Sequence, residues 1–181
     1  MALILLRHAP PPLRWQGSYL GHSDIDIDTS LFDKTKIEPL MCEQFDRIYS
    51  SDLIRCTHTL DAMGLQGYLT DRRLREVRFK PSFEGKTFAQ IERMGEYDPA
   101  ALVSEEAWHR FVCDESPEAF RHRIGSFLAE LDPKLNILLC THAGTIKTIL
   151  SLLRLSEHDR IPAYLDYVRI PLWGYNKPEK R

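Results

Sequence analysis

Ala2-Leu3-Ile4-Leu5-Leu6-Arg7-His8 decides how the rest of the chain is read. Five consecutive apolar residues end abruptly in two basic ones. A run this short and uniformly apolar fits a strand buried on both faces, as in an α/β sheet covered by helices on both sides. It is too short for the hydrophobic region of a secretion signal and is cut off by Arg7 and His8, so the expected location is cytoplasmic. No stretch approaches the roughly 20 apolar residues that a membrane helix needs.

Working outward, a second run of the same kind is Asn136-Ile137-Leu138-Leu139-Cys140, and it ends in Thr141-His142-Ala143-Gly144. Asp46 to Ser50 reads as another short strand. Ser50 or Ser51 is expected to cap a helix running to about Met63, ended by Gly64. Tyr68 to Leu74 is a further strand candidate, and Asp166 to Leu172 an edge strand. Helices are expected over 87–95, 98–112 and 145–155. Ser116-Pro117 opens one more, reaching about Leu131, with a capping hydroxyl before a proline at the first helical position. Its apolar face carries Phe120, Ile124, Phe127, Leu128 and Leu131. The segment from Pro10-Pro11-Pro12 to Asp28 must be a loop, because three prolines lack amide donors. Strands alternating with helices predict an α/β sandwich on a mostly parallel sheet.

In such sheets, ligands sit beyond the carboxyl ends of the strands. Two strands end in histidine, His8 and His142, and Arg55 falls in the first turn of the helix after Ser51. Arg7, His8, Arg55 and His142 can therefore meet at one rim. Guanidinium forks match phosphate oxygens and stay charged at any working pH. A neutral imidazole nitrogen can attack phosphorus when the proton on its other nitrogen is held. A leaving alkoxide needs a proton, and the carboxyl candidates are Glu76 and Glu84. Taken alone, His22, His58, His109, His122 and His158 read as solvated or core residues, and Arg47, Arg75 and Arg78 as surface charges or ion pairs. Trp108, Phe111 and Phe120 read as a lid or core cluster.

Bulk properties are ordinary. The chain has 181 residues, 43% hydrophobic and 28% charged, with net charge −2. That suits one compact domain spanning 1–181. No run of Lys or Arg exceeds two residues, so neither nucleic acid nor an anionic membrane is the expected partner. Cys42, Cys56, Cys113 and Cys140 form no C-x-x-C pair and read as reduced thiols. No ligand set at zinc spacing accompanies them, and no metal is expected. Composition leaves a homodimer open.

Seven segments in order resemble the histidine phosphatase superfamily, the phosphoglycerate-mutase-like group, in its short phosphatase branch: Leu6-Arg7-His8-Ala9, Gly21-His22-Ser23-Asp24, Ser50 to Arg55, Leu74-Arg75-Glu76, Phe83-Glu84-Gly85-Lys86-Thr87, Glu115-Ser116-Pro117, and Thr141 to Gly144. The resemblance implies a three-layer α/β/α fold with a small lid around 80–115 and no cofactor. His8 would become phosphohistidine, Arg7, Arg55 and His142 would hold the phosphate, and Glu76 would serve as proton donor and then base. Substrate contacts would extend to Arg14, Gly21, Ser23, Glu84 and Ala143. The implied activity is a phosphomonoesterase acting on a small phosphorylated metabolite. The Gly17-to-Asp24 stretch is similar to α-ribazole phosphatase-like members, which points to α-ribazole 5′-phosphate. Mutase-type transfer, phosphohistidine-protein phosphatase activity and a degenerate phosphate-binding module are the alternatives. The chain departs from the family in four places, one being that the usual Gly-x-x-Gln helix after the Asp24 region is not recognisable. Ala9 replaces the usual glycine, Arg14 stands where many members carry an asparagine, and Lys80-Pro81 interrupts the loop between Glu76 and Glu84.

Overall fold

The computed structural model describes residues 1–155 and 162–171. Five strands form one sheet: β1 (Ala2–Arg7), β2 (Arg47–Ser50), β3 (Leu69–Thr70), β4 (Asn136–Thr141) and β5 (Tyr167–Pro171), in the order β3-β2-β4-β1-β5. All neighbours are parallel except β5, which runs antiparallel to β1 at the edge. The two apolar runs are thus central strands lying side by side.

The pleat splits each run between two cores. Leu3, Leu5, Ile137 and Leu139 face one side with Ile124, Phe127 and Leu128 of α5 (Pro117–Glu130) and Ile146 and Ile149 of α6 (Ala143–Leu152). Ile4, Leu6, Leu138 and Cys140 face the other side with Leu40 of α1 (Glu38–Met41) and Cys56 and Leu60 of α2 (Ile54–Ala62). This is the expected three-layer sandwich. The buried leucines of β1 and β4 each contribute roughly 1.5–3 kcal/mol, which fixes the register that the site depends on. Among the described residues, no helix is long and apolar enough to cross a membrane.

Several element boundaries differ from expectation. The 68–74 strand shrinks to β3, because the Asp71 side chain accepts from the Arg73 amide and turns 72–74 into a 3-10 helix. The 87–95 helix is only α3 (Phe88–Ile91), opened by a reciprocal Thr87–Gln90 capping box. The 98–112 helix breaks at Ser104. Its hydroxyl caps α4 (Glu105–Val112), while 99–103 is 3-10. Neither Ser50 nor Ser51 caps α2. Leu53 takes the cap position, and the free Ile54 amide is satisfied by Asp24 from the long loop, at 2.7 Å. The 145–155 helix starts two residues earlier and stops at Leu152. The edge strand starts at Tyr167, and Leu172 and His158 lie outside the described residues.

Candidate active site

Register carries the first step. Arg7 pairs with Thr141 across β1 and β4, so the next residues, His8 and His142, stand together past the strand ends. Their ring centroids are 5.2 Å apart. The His8 amide donates to the Thr141 carbonyl at 3.0 Å, extending the ladder by one bond. His8 Nδ1 lies 2.7 Å from the Ala9 carbonyl oxygen. A carbonyl only accepts, so Nδ1 carries the proton and Nε2 keeps its lone pair. Ala9 therefore meets the need through its backbone. Its amide donates to Thr59 Oγ1 at 2.8 Å, and Thr59 in turn donates to the Arg55 carbonyl at 2.6 Å.

His142 is arranged the opposite way. Arg55 Nε donates to its Nδ1 at 3.2 Å, so Nε2 carries the proton and donates to Ser51 Oγ at 2.9 Å. Ser51 reaches this position because its own amide continues the sheet, donating to the Cys140 carbonyl. The rest of the Arg55 fork grips the long loop: Nη1 donates to the Ser23 carbonyl at 2.8 Å, and Nη2 to those of Gly21 at 2.7 Å and Leu20 at 3.3 Å. Arg55 is fully buried.

Arg7 is the more open of the two arginines. Nη1 donates to the Pro162 carbonyl at 2.7 Å, and the guanidinium lies 3.8 Å above the Tyr164 ring. Tyr164 also flanks His8, with ring centroids 5.5 Å apart. Leu165 holds this turn in place at a φ of +62°, with its side chain buried and its amide donating to the Arg7 carbonyl. A left-handed leucine is strained by on the order of 1–2 kcal/mol, which such sites commonly store. Among the described residues, Arg7 Nε is buried without a hydrogen-bond partner. Neither Arg7 nor Arg55 has a carboxylate at ion-pair distance among those residues. Burial pulls both guanidinium groups below the ordinary arginine value. Two largely buried cations without a counter-ion favour an incoming dianion.

Glu76 stands at the amino end of α6. Its Oε2 accepts from the Gly144 amide at 2.9 Å and its Oε1 from the Val77 amide at 3.0 Å. A Cβ on Gly144 would sit 2.5 Å from Oε1, so any larger residue here displaces the Glu76 carboxylate. The backbone of Glu76 is pinned from behind, where its carbonyl accepts from His22 Nε2 at 3.0 Å and Arg123 Nη2 at 2.9 Å. Arg123 also donates to the carbonyls of Arg73 and Arg75 and pairs with Glu115 at 2.7 Å, tying the whole 73–76 segment to α5. Arg75 does not hold Glu76. It forms a two-bond ion pair with Asp52, both contacts at 2.7 Å.

Glu84 faces the long loop instead of the rim, accepting from the amides of Gly21 at 2.9 Å and Ser23 at 3.1 Å. With Arg55 on the carbonyls and Glu84 on the amides, residues 20–23 are clamped from both sides. Gly21 is itself irreplaceable, since a Cβ there would sit 2.5 Å from the Val77 carbonyl oxygen. Ala143 is the first residue of α6, next to His142. Arg14 does not join this group. It lies on an exposed 3-10 turn with its guanidinium 5.9 Å from the Trp15 ring. Of the remaining candidates, Arg78 pairs with Asp114, His58 with Asp26, His109 with the Glu115 carbonyl, and His122 is exposed. Phe120 belongs to the core, while Trp108 and Phe111 pack against it half-buried. Ser51, Thr59, His22, Arg123 and Tyr164 were not legible as site residues. His22 and Ser51 carry a signal, their places in the Gly21-to-Asp24 and Ser50-to-Arg55 motifs.

Both rim histidines are held well below the ordinary value near 6.5. For His8 the causes are burial, then the charges of Arg55 and Arg7; for His142 they are burial, then Arg55, His8 and Arg7. Unfolded, both titrate near 6.5, so below that pH the unfolded chain binds more protons. The stability they confer is fully present above about pH 6.5 and is lost as pH falls below it, by up to about 1.4 kcal/mol per pH unit for each. Denaturant midpoints taken without phosphate are expected to drop between about pH 7 and pH 5, with a shallower slope in His8→Asn. A slope unchanged by that substitution would contradict the buried neutral state.

The strand order, the parallel β1–β4 register and the helices on both faces are those of the α/β phosphoglycerate mutase-like fold. The sequence pattern described as "Histidine phosphatase superfamily (branch 1)" matches residues 3–170. The chain therefore belongs to the histidine phosphatase superfamily, a family of phosphatase enzymes. No curated protein sequence matches it significantly. Solved structures of similar fold include phosphoserine phosphatase from Entamoeba histolytica in complex with 3-phosphoglyceric acid (TM-score 0.75, 23% identity, covering 93% of this chain and 89% of that one). Others are a mycobacterial glucosyl-3-phosphoglycerate phosphatase (0.73, 23%, 93% and 88%) and the protein TTHB049 from Thermus thermophilus (0.68, 24%, 93% and 92%).

Proposed function

We propose that the protein is a metal-independent phosphomonoesterase that hydrolyses a small phosphorylated metabolite in the cytoplasm through a phosphohistidine on His8. The observation that carries this reading is the His8 ring. Its Nδ1 proton is held by the Ala9 carbonyl, its Nε2 is bare, and it stands beside two largely buried arginines without carboxylate partners among the described residues.

Arg7 binds the phosphoryl group through its guanidinium, which has no carboxylate partner among the described residues. His142 adds the Nε2 proton that it gives to Ser51 in the unliganded site, and Arg55 supplies charge at the back while holding loop 20–23. His8 Nε2 attacks phosphorus as the P–O bond to the leaving group breaks, and Glu76 protonates the departing alkoxide. The Ala9 carbonyl steadies the positive ring that forms. Water then attacks phosphorus, Glu76 takes its proton, and the N–P electron pair returns to Nε2 as orthophosphate leaves. Residues 80–115 form the lid over this site. α-Ribazole 5′-phosphate is the particular substrate that the Gly17-to-Asp24 stretch favours.

The test is release of orthophosphate from p-nitrophenyl phosphate and from an alkyl phosphate, in chelator, between about pH 6 and pH 8. Turnover of both is expected, with orthophosphate as a competitive inhibitor. No release above buffer would overturn the proposal.

A further inference from the structure

Past Val77, the residue after Glu76, opens a pocket of about 400 Å3, a size that suits a small ligand. Val77 and Val112 form its buried floor, Tyr19, Phe79 and Trp108 its walls, and the exposed Glu105 its mouth. The walls are locked together. The Tyr19 and Phe79 rings meet edge to face at 5.2 Å, and Trp108 Nε1 donates to the Tyr19 hydroxyl oxygen at 3.1 Å. Trp108 therefore has no donor left for a ligand, and the Tyr19 O–H is the polar group on this aromatic wall; Ser104 and His109 also line the cavity, with the His109 Nε2 proton given to the Glu115 carbonyl.

The pocket lies on the proton-donating side of the site. Val77 follows Glu76 and donates its amide to the Glu76 carboxylate. Lys147, one turn beyond Gly144 on α6, reaches Glu105 at 2.6 Å. Lys147 is thus engaged at the mouth, and among the described residues no lysine or arginine lines the cavity.

Resting on the phosphatase reading above, we infer that this pocket takes the alcohol part of the substrate, and that this part is uncharged and aromatic. Flat rings stack on aromatic walls and bury apolar area there. A carboxylate would meet Glu105 and lose its water without gaining a lysine or arginine partner in the cavity. Phosphorylated hydroxy acids are therefore poor substrates, although the phosphate site itself accepts any monoester.

The test compares two alkyl phosphates, so that the chemical demand on Glu76 is the same: 2-(1-naphthyl)ethyl phosphate and 3-phosphoglycerate. Wild type is expected to favour the naphthyl ester by about tenfold or more in kcat/KM. Trp108→Ala should raise KM for the naphthyl ester by about tenfold and leave inhibition by orthophosphate within about twofold. Glu105→Lys, at an exposed site, should raise kcat/KM for 3-phosphoglycerate several-fold. Equal or better use of 3-phosphoglycerate by wild type, or no gain from Glu105→Lys, overturns the inference. So does a Trp108→Ala loss shared equally by both esters and by orthophosphate. Activity on p-nitrophenyl phosphate tells the two levels apart. If it is present, a failed preference counts against the pocket alone; if it is absent, the phosphatase reading fails and the pocket assignment with it.

Discussion

His8→Asn is expected to lower kcat on every phosphomonoester by about 10⁴-fold or more, because the N–P bond has no other atom on which to form. Asparagine keeps a polar side chain at the position, and the bond from the residue 8 amide to the Thr141 carbonyl does not depend on the ring. The fold should therefore persist, and so should orthophosphate binding through Arg7. Initial rates, together with stabilisation of the variant by orthophosphate, check both halves. His142 cannot take over the role, since its one bare nitrogen faces Arg55 Nε at 3.2 Å. A variant that keeps more than about a tenth of wild-type kcat would remove His8 as nucleophile.

Glu76→Gln should cost about 10²–10³ in kcat on alkyl phosphates but about tenfold or less on p-nitrophenyl phosphate, whose leaving group departs without a proton. Gly144→Ala should show the same split, because its new Cβ would lie 2.5 Å from Glu76 Oε1 and force the carboxylate aside. Position sets Glu76 apart from Glu84: the Glu76 carboxylate accepts from the Gly144 amide, two residues past His142, whereas Glu84 accepts from two amides of the long loop. Rates on the paired esters decide the matter. Equal losses on both esters would mean that Glu76 shapes the site without transferring a proton.

Much of this was legible because the informative parts are local. Leu3 to Leu6 and Ile137 to Cys140 are apolar without interruption, which specifies central strands, and residues just past such strands share a rim. The register from Ala2 opposite Asn136 to Arg7 opposite Thr141 then places the two histidines. What was not legible depends on contacts far apart in sequence. Nothing near Ser51 says that its hydroxyl serves His142 while Asp24 serves the helix. Arg123 reaches Glu76 from a helix 47 residues later, at a position that reads as one more exposed basic residue on α5. Tyr164 enters the site only because Leu165 turns the chain through a left-handed conformation that leucine rarely adopts. The Arg14 expectation came from counting residues after His8. The proline run and the 3-10 turn at Leu13–Trp15 carry that side chain outward.

The central claim is that phosphate passes through His8. Labelled substrate mixed with enzyme and quenched within milliseconds into alkaline denaturant should leave up to one equivalent of phosphate on the protein. That phosphate should be stable to base, labile to acid and located on His8 by peptide mapping. Phosphate on His142 or any other residue, or the same labelling in His8→Asn, would contradict the account.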